Sequence, residues 1–157
     1  MKKLKLISLL TLVFTLTFFF TSASSEEGEG ANWYTDFDEA VAAASAEDKS
    51  ILMSFSGSDW CVNCMRLERT LFESGEFMTY AKENLILLKL DFPAKKKNKL
   101  PEVQQKHNDE LAEKYNKGGK FPTVVFLNKD ENTLGELAHP LESAAAYMEN
   151  IKGIIGG

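Results

Sequence analysis

Cys61 and Cys64 are the only cysteines of the 157-residue chain, and they stand together in the run Trp60-Cys61-Val62-Asn63-Cys64. Two intervening residues let both sulfurs sit in one turn of a helix, close enough to form and break a bridge with little backbone movement. Such a pair can cycle between dithiol and disulfide. With a helix starting near Cys61, the unpaired amides and positive dipole end favour its thiolate. Its pKa then falls below the roughly 8.5 of a free thiol, and Cys61 is the nucleophile. Cys64, one turn deeper, is shielded and attacks second, releasing the mixed disulfide that Cys61 forms with a substrate. Other chemistries fit less well. Zinc wants about four ligands, and the two histidines, His107 and His139, lie far apart without the short spacing of a finger. Covalent haem attachment would need His after the second cysteine, where Met65 stands. A purely structural bridge closing so small a loop stabilises little. No metal is expected, and no cofactor beyond the redox-active disulfide itself.

The elements that must position this pair alternate helix and strand. Thr35-Asp36-Phe37-Asp38-Glu39 offers capping side chains for a helix that carries Phe37, Ala40, Val41 and Ala44 on one side. The apolar run Ile51 to Phe55 predicts a buried strand, followed by the turn Ser56-Gly57-Ser58-Asp59 and a helix from about Cys61 to Phe72. Leu85 to Leu90 predicts a second buried strand, and Pro101 to Tyr115 a long helix with Pro101 in its first turn. Thr123 to Leu127 predicts a third strand, paired through the turn 128–132 with a short one around Thr133 to Leu137. Ser143 to Ile151 predicts a closing helix capped by Gly153. This order describes an α/β fold, a central mixed β-sheet flanked by helices on both faces. Four lysines lie between the second strand and the long helix, in Pro93-Ala94-Lys95-Lys96-Lys97-Asn98-Lys99. They read either as a solvated loop, partly offset by Glu102, Asp109, Glu110 and Glu113, or as a docking patch for an acidic partner.

Composition bounds the rest. The hydrophobic share of 44% and charged share of 26% suit one globular domain, and a formal net charge of −5 argues against a sequence-independent grip on nucleic acid. Lys2, Lys3 and Lys5 precede an apolar stretch from Leu6 to Phe20 and then Thr21-Ser22-Ala23, the pattern of an export signal cleaved after Ala23. The competing reading is an uncleaved membrane anchor, but the run is shorter than the roughly 18 to 20 residues of a spanning helix and four of its members are Ser or Thr. Lipid attachment would need a cysteine right after the cleavage site, and the first cysteine is Cys61. The expected organisation is a signal peptide over 1–23, a flexible linker over 24–32 and one domain over 33–157. Cleavage removes three lysines and no acids, so the exported chain carries a formal charge of −8.

Strand, Trp-Cys-x-x-Cys, helix, and a Pro some sixty residues on, here Phe121-Pro122-Thr123 ahead of a strand, resemble the thioredoxin superfamily over essentially residues 33 to 152. The resemblance implies the thioredoxin fold and a cis bond before Pro122. It also implies that Pro122 lies opposite the cysteine pair, with the Phe121 backbone accepting an extended substrate segment by strand-like hydrogen bonds. Within that superfamily, Ser-Gly-Ser-Asp-Trp-Cys, Cys-Val-x-Cys and Asp91-Phe92-Pro93 with its lysines are similar to exported bacterial members. Those members are the C-terminal domain of the membrane reductase DsbD and small periplasmic reductases and isomerases. Two departures stand out: thioredoxin has Gly-Pro between its cysteines where this chain has Val62-Asn63, and a buried Asp where this chain has Ser54.

The missing acid invites a substitute. At about 100° per residue Cys64, Leu67, Leu71 and Phe72 share an apolar helix face, and Glu68 lies inside it. A carboxylate there is suited to take the Cys64 proton, and a Glu at the same offset also occurs in the DsbD-type domain that this segment resembles. The competing reading has Glu68 reach sideways to Arg66, Arg69 or solvent and do nothing chemical. Asp59 reads as a turn residue close to the site, and Trp60 as a shield beside the disulfide or as plain packing. The expected function is an exported, periplasmic thiol:disulfide oxidoreductase, reductase or isomerase, with Cys61, Cys64 and Glu68 in catalysis and Trp60, Phe121, Pro122 and Thr123 holding the substrate. Its partners are cysteine-containing exported proteins and a membrane thiol reductase or oxidase that resets the pair. A peptide-binding or chaperone module without turnover is the competing function. A peroxidase of related fold would show a Thr-x-x-Cys pattern, which is not found.

Overall fold

The structure is a computed structural model that describes residues 31–138 and 143–156. The expected signal peptide, most of the linker and His139 lie outside the described residues. Five strands form one sheet in the order β1-β3-β2-β4-β5: β1 (Trp33–Tyr34), β2 (Ser50–Ser56), β3 (Leu85–Asp91), β4 (Thr123–Leu127) and β5 (Thr133–Ala138). β1, β3 and β2 run parallel, while β4 is antiparallel to β2 and β5 antiparallel to β4. The helices are α1 (Phe37–Glu47), α2 (Val62–Leu67), α3 (Gly75–Asn84), α4 (Glu102–Tyr115) and α5 (Ala144–Ile155). Among the described residues no helix is long and apolar enough to cross a membrane.

Side chains alternate across the strands, so the continuous apolar runs of β2, β3 and β4 feed two cores. Leu52, Leu85, Leu87, Val124 and Phe126 pack on one face with Leu67, Leu71, Phe77, Ala81 and Ile151 from α2, α3, α5 and the turn after α2. Ile51, Met53, Phe55, Leu88, Leu90 and Val125 pack on the other with Ala40 and Ala44 of α1 and Leu111 of α4. The mixed sheet with helices on both faces is as the sequence predicts. The α1 cap falls within the expected segment Thr35–Glu39: it is Asp36, whose carboxylate accepts the Glu39 N–H at 2.9 Å.

The structure adds three elements to that expectation and moves two ends. Strand β1 is only two residues long, too short to leave a periodic signal. Helix α3 hides behind a glycine at its first position and a polar surface; its marks are the Ser74 cap, whose hydroxyl accepts the Phe77 N–H at 3.2 Å, and the buried pair Phe77 and Ala81 one turn apart. The helix after the cysteines ends in a π-type turn over Glu68–Phe72, closed by the Glu73 N–H on the Glu68 carbonyl at 2.9 Å. The wider turn buries both Leu71 and Phe72. Pro101 takes the cap position of α4 rather than a place in its first turn: its ψ of 146° is non-helical, while its carbonyl accepts the Gln105 N–H at 2.9 Å. Helix α5 runs past Gly153 to Ile155, with Gly156 as its cap, since Ile154 and Ile155 pack against the core and extend the apolar face.

Candidate functional site

β2 and β3 are parallel neighbours with Ser56 opposite Asp91, so the loops leaving them emerge side by side. Antiparallel β4 begins at the same end, with Thr123 opposite Phe55. Three connections therefore meet at the carboxyl ends of the parallel strands, where α/β sheets place their sites. They are the cysteine turn 57–61, the loop 92–100 and the segment before β4.

Cys61 and Cys64 are joined by a disulfide, their Cα atoms 5.2 Å apart. Cys61 is the N-cap of α2: its Sγ accepts the Cys64 N–H at 3.2 Å, and its own N–H donates to the Gly57 carbonyl at 2.9 Å. Both residues are buried, Cys64 at 3% exposure slightly more so than Cys61 at 7%. Around them the surface is apolar, with Trp60 at 47% exposure, Val62 at 63% and Met65 at 37%.

The cysteine turn is bonded to the end of β3 and the loop after it at every residue from Ser58 to Trp60. Ser58 donates its N–H and hydroxyl to the Asp91 carboxylate at 2.9 and 2.6 Å. Asp59 accepts the N–H groups of Ala94 and Lys95 at 2.9 and 3.0 Å and the Asn98 amide at 2.8 Å. Trp60 Nε1 donates to the Phe92 carbonyl at 2.7 Å. Desolvation opposes ionisation of Asp59, but the hydrogen bonds from Ala94, Asn98 and Lys95, with the Lys95 charge, outweigh it and hold the carboxyl below its ordinary value. Asp59 is thus the anchor of a loop, a stronger role than that of a plain turn residue. Asn108, buried on α4, secures the same corner by donating to the Asp91 carbonyl at 2.9 Å.

Phe121 joins this corner through its ring, which lies edge-on to Trp60 at 5.4 Å and to Phe92 at 5.3 Å between centroids. The Phe121–Pro122 bond is cis. Pro122 and Thr123 are buried, and the Thr123 hydroxyl donates to the Lys120 carbonyl at 2.9 Å, so Thr123 steadies the segment from behind. The structure thus gathers Trp60, Cys61, Cys64 and Phe121–Thr123 at one end of the sheet.

Glu68 differs from its expected setting. It does sit on the face shared by Cys64, Leu67, Leu71 and Phe72, all buried, but it is not alone among apolar groups. Its Oε1 pairs with Lys89 Nζ at 2.6 Å, both side chains a little over a quarter exposed, and neither Arg66 nor Arg69 is its partner. The alternation of β3 explains why: Lys89 falls on the same face as Leu85 and Leu87, under α2, with Ser54 of β2 beside it in register. Glu68, Lys89 and Cys64 line one cavity of about 280 Å³ together with Ser56, Ser58, Met65, Arg69 and Glu73. Lys89 was missed by sequence reasoning, although a single lysine inside the apolar run Leu85–Leu90 was the signal. Gly57 was passed over as a turn residue, yet a Cβ there would overlap the Trp60 indole.

Known proteins place this arrangement. A family model described as Thioredoxin-like matches residues 32–129. The chain is 31% identical over 122 residues to the disulfide bond reductase DsbH of Chlamydia pneumoniae, covering 78% of this chain and 72% of that protein. It is 25% identical over 135 residues to the thioredoxin-related protein DsbJ of the same organism, covering 85% of this chain but only 37% of DsbJ. A solved structure of a DsbH oxidoreductase superposes with a TM-score of 0.74 at 30% identity, over 82% of this chain and 87% of that one.

Proposed function

This chain belongs to the thioredoxin-like family, has the thioredoxin fold and is a protein-disulfide oxidoreductase, and from that premise we propose that it works outside the cytoplasm as a reductase of protein disulfides. The reductive direction is supported by its similarity to a protein named a disulfide bond reductase. Export is supported by the lysines and apolar run at the N-terminus. The observation that carries the chemistry is the Cys64 N–H donated to Cys61 Sγ at the cap of α2. An amide aimed at that sulfur, at the positive end of a helix, stabilises a thiolate there more than a thiol.

In the reduced protein the Cys61 thiolate attacks one sulfur of a substrate disulfide. That bond breaks, a mixed disulfide forms, and the other substrate sulfur leaves as a thiolate and is protonated by solvent. Cys64 then attacks Cys61 Sγ while its proton passes to Glu68 through the cavity they share. The mixed disulfide breaks, the second substrate sulfur departs and takes up a proton, and the Cys61–Cys64 bond closes. Two electrons have moved from the pair to the substrate. Lys89 positions the Glu68 carboxylate, Trp60 covers the sulfurs, and the backbone at Phe121 and Pro122 holds the substrate chain extended beside them. A membrane thiol reductase then returns the pair to the dithiol, and the substrates are cysteine-containing exported proteins.

Insulin reduction with dithiothreitol tests the activity, and equilibration with glutathione tests its direction. The expected results are turnover abolished by Cys61→Ser and a reduction potential between about −270 and −180 mV. A potential near −120 mV would overturn the reductive assignment. A wild type as inactive as Cys61→Ser would indicate a peptide-holding module instead.

A further inference from the structure

We propose that the rim of the redox site is a basic docking surface for an acidic stretch of substrate chain flanking the disulfide to be reduced. The proposal rests on the reading of Cys61 and Cys64 as a reducing pair and names the class of substrate they serve. Lys95, Lys96, Lys97 and Lys99 are all exposed on the loop after β3, with a single 3₁₀ turn at Lys96–Asn98. That loop is tied to the cysteine turn itself, by the three hydrogen bonds that the Asp59 carboxylate accepts and by Trp60 on the Phe92 carbonyl. A loop needing only solvation would not require a carboxylate from the active-site turn to fix its path. Phe92 and Trp60 both touch Phe121, which brings the second basic segment, with exposed Lys117 and Lys120, to the same rim.

The charge balance supplies the partner's chemistry. Among the described residues none of these six lysines has a carboxylate within ion-pair distance, whereas Lys106, Lys114, Lys129 and Lys152 each do. The acids near these loops include Asp59 and Asp91, whose carboxylates are hydrogen-bonded to the cysteine turn and the loop, Glu73 in the cavity with Cys64, Glu102 at the start of α4, and Glu136, which lines a cleft with Lys117 and Lys120. A chain of net charge −5 has thus placed six exposed lysines, none in an ion pair among the described residues, on the two loops that frame its disulfide, around exposed Trp60, Val62 and Met65. Such a rim attracts and orients an acidic segment and repels a basic one, over a range of about 8 Å at physiological salt.

Three peptides with one internal disulfide, identical except for three flanking residues that are Glu, Gln or Lys, test this. Their reduction by the dithiol protein is followed at low and high salt. At low salt the Glu peptide should react about tenfold faster than the Gln peptide, and the Lys peptide slower than either. The spread should collapse to about twofold when salt shortens the screening length to a few ångströms. In the variant Lys95→Gln/Lys96→Gln/Lys97→Gln/Lys99→Gln, which leaves the backbone bonds to Asp59 intact, the Glu peptide should fall to the rate of the Gln peptide. The rate with the Gln peptide and the equilibrium with glutathione should stay unchanged. Equal rates for the three peptides, or a preference that survives in the variant, would overturn the proposal. Binding of a fluorescent Glu peptide lacking cysteine to the oxidised protein reads the surface without turnover. Failure of all three reductions with binding intact would therefore count against the reducing pair and not against the rim. Attachment to anionic phospholipid vesicles without Glu-peptide binding would overturn it in favour of a membrane surface.

Discussion

Replacing Glu68 by Gln should slow the second attack in a pH-dependent way. Glu68 shares a cavity with Cys64 and is held by Lys89 at 2.6 Å, so the substitution keeps the side chain's size and removes its capacity to take a proton. Cys64 must then ionise unaided. Even a free thiol, pKa about 8.5, is only roughly 3% thiolate at pH 7, so resolution of the mixed disulfide should slow at least about 30-fold there. The deficit should shrink about tenfold for each pH unit as the unaided thiol ionises. Acid quenching and mass spectrometry of a single turnover, from pH 6 to 9, measure the lifetime of the mixed disulfide directly. Lys89→Met separates proton transfer from structure. It keeps the carboxylate but frees it from its partner, so resolution should slow less than in Glu68→Gln and keep the wild-type pH dependence, at a cost of about 1 kcal/mol of stability for this part-exposed pair. A Glu68→Gln profile parallel to wild type, or the same slowing at pH 7 and pH 9, would refute the proton-acceptor role.

Two further outcomes follow from the cysteine turn. Gly57→Ala sets a methyl group into the Trp60 indole, so the ring must leave its bond to Phe92. The expected cost is about 1–3 kcal/mol in thermal unfolding, with a red shift in tryptophan emission, and an unchanged spectrum and stability would contradict the packing described. Because the Asp59 carboxyl is held below its ordinary value of 3.8, its contribution is complete above that pH and is lost as pH falls through the lowered folded value. The protection factors of the Ala94 and Lys95 amides should therefore stay high at pH 5 and fall only in stronger acid. Low protection at pH 5 would show that Asp59 does not anchor the loop.

What could be read in advance followed the strength of the local signal. β2, β3 and β4 are covered by helices on both sides, so each is a continuous apolar run, and their positions were legible to within a residue. The cysteines, Trp60 and the segment Phe121–Thr123 were legible as a motif. Their convergence depends on the register of Ser56 with Asp91 and of Thr123 with Phe55, which no single segment encodes. Helix α3 went unread because its packing rests on Phe77 and Ala81 within an otherwise polar, glycine-started stretch. The partner of Glu68 went unread for the same reason, since an ion pair between residues 21 apart has no sequence period. Asp59 looked like any turn aspartate until the residues it binds, 35 to 39 positions later, were folded against it.

The division of labour between the two sulfurs is tested most directly by trapping. With Cys64→Ser, exposure to oxidised substrate protein should accumulate a mixed disulfide through Cys61 that persists on non-reducing gels, because no second thiol remains to release it. Accumulation with Cys61→Ser instead, through Cys64, would contradict the assignment of the capped sulfur as nucleophile.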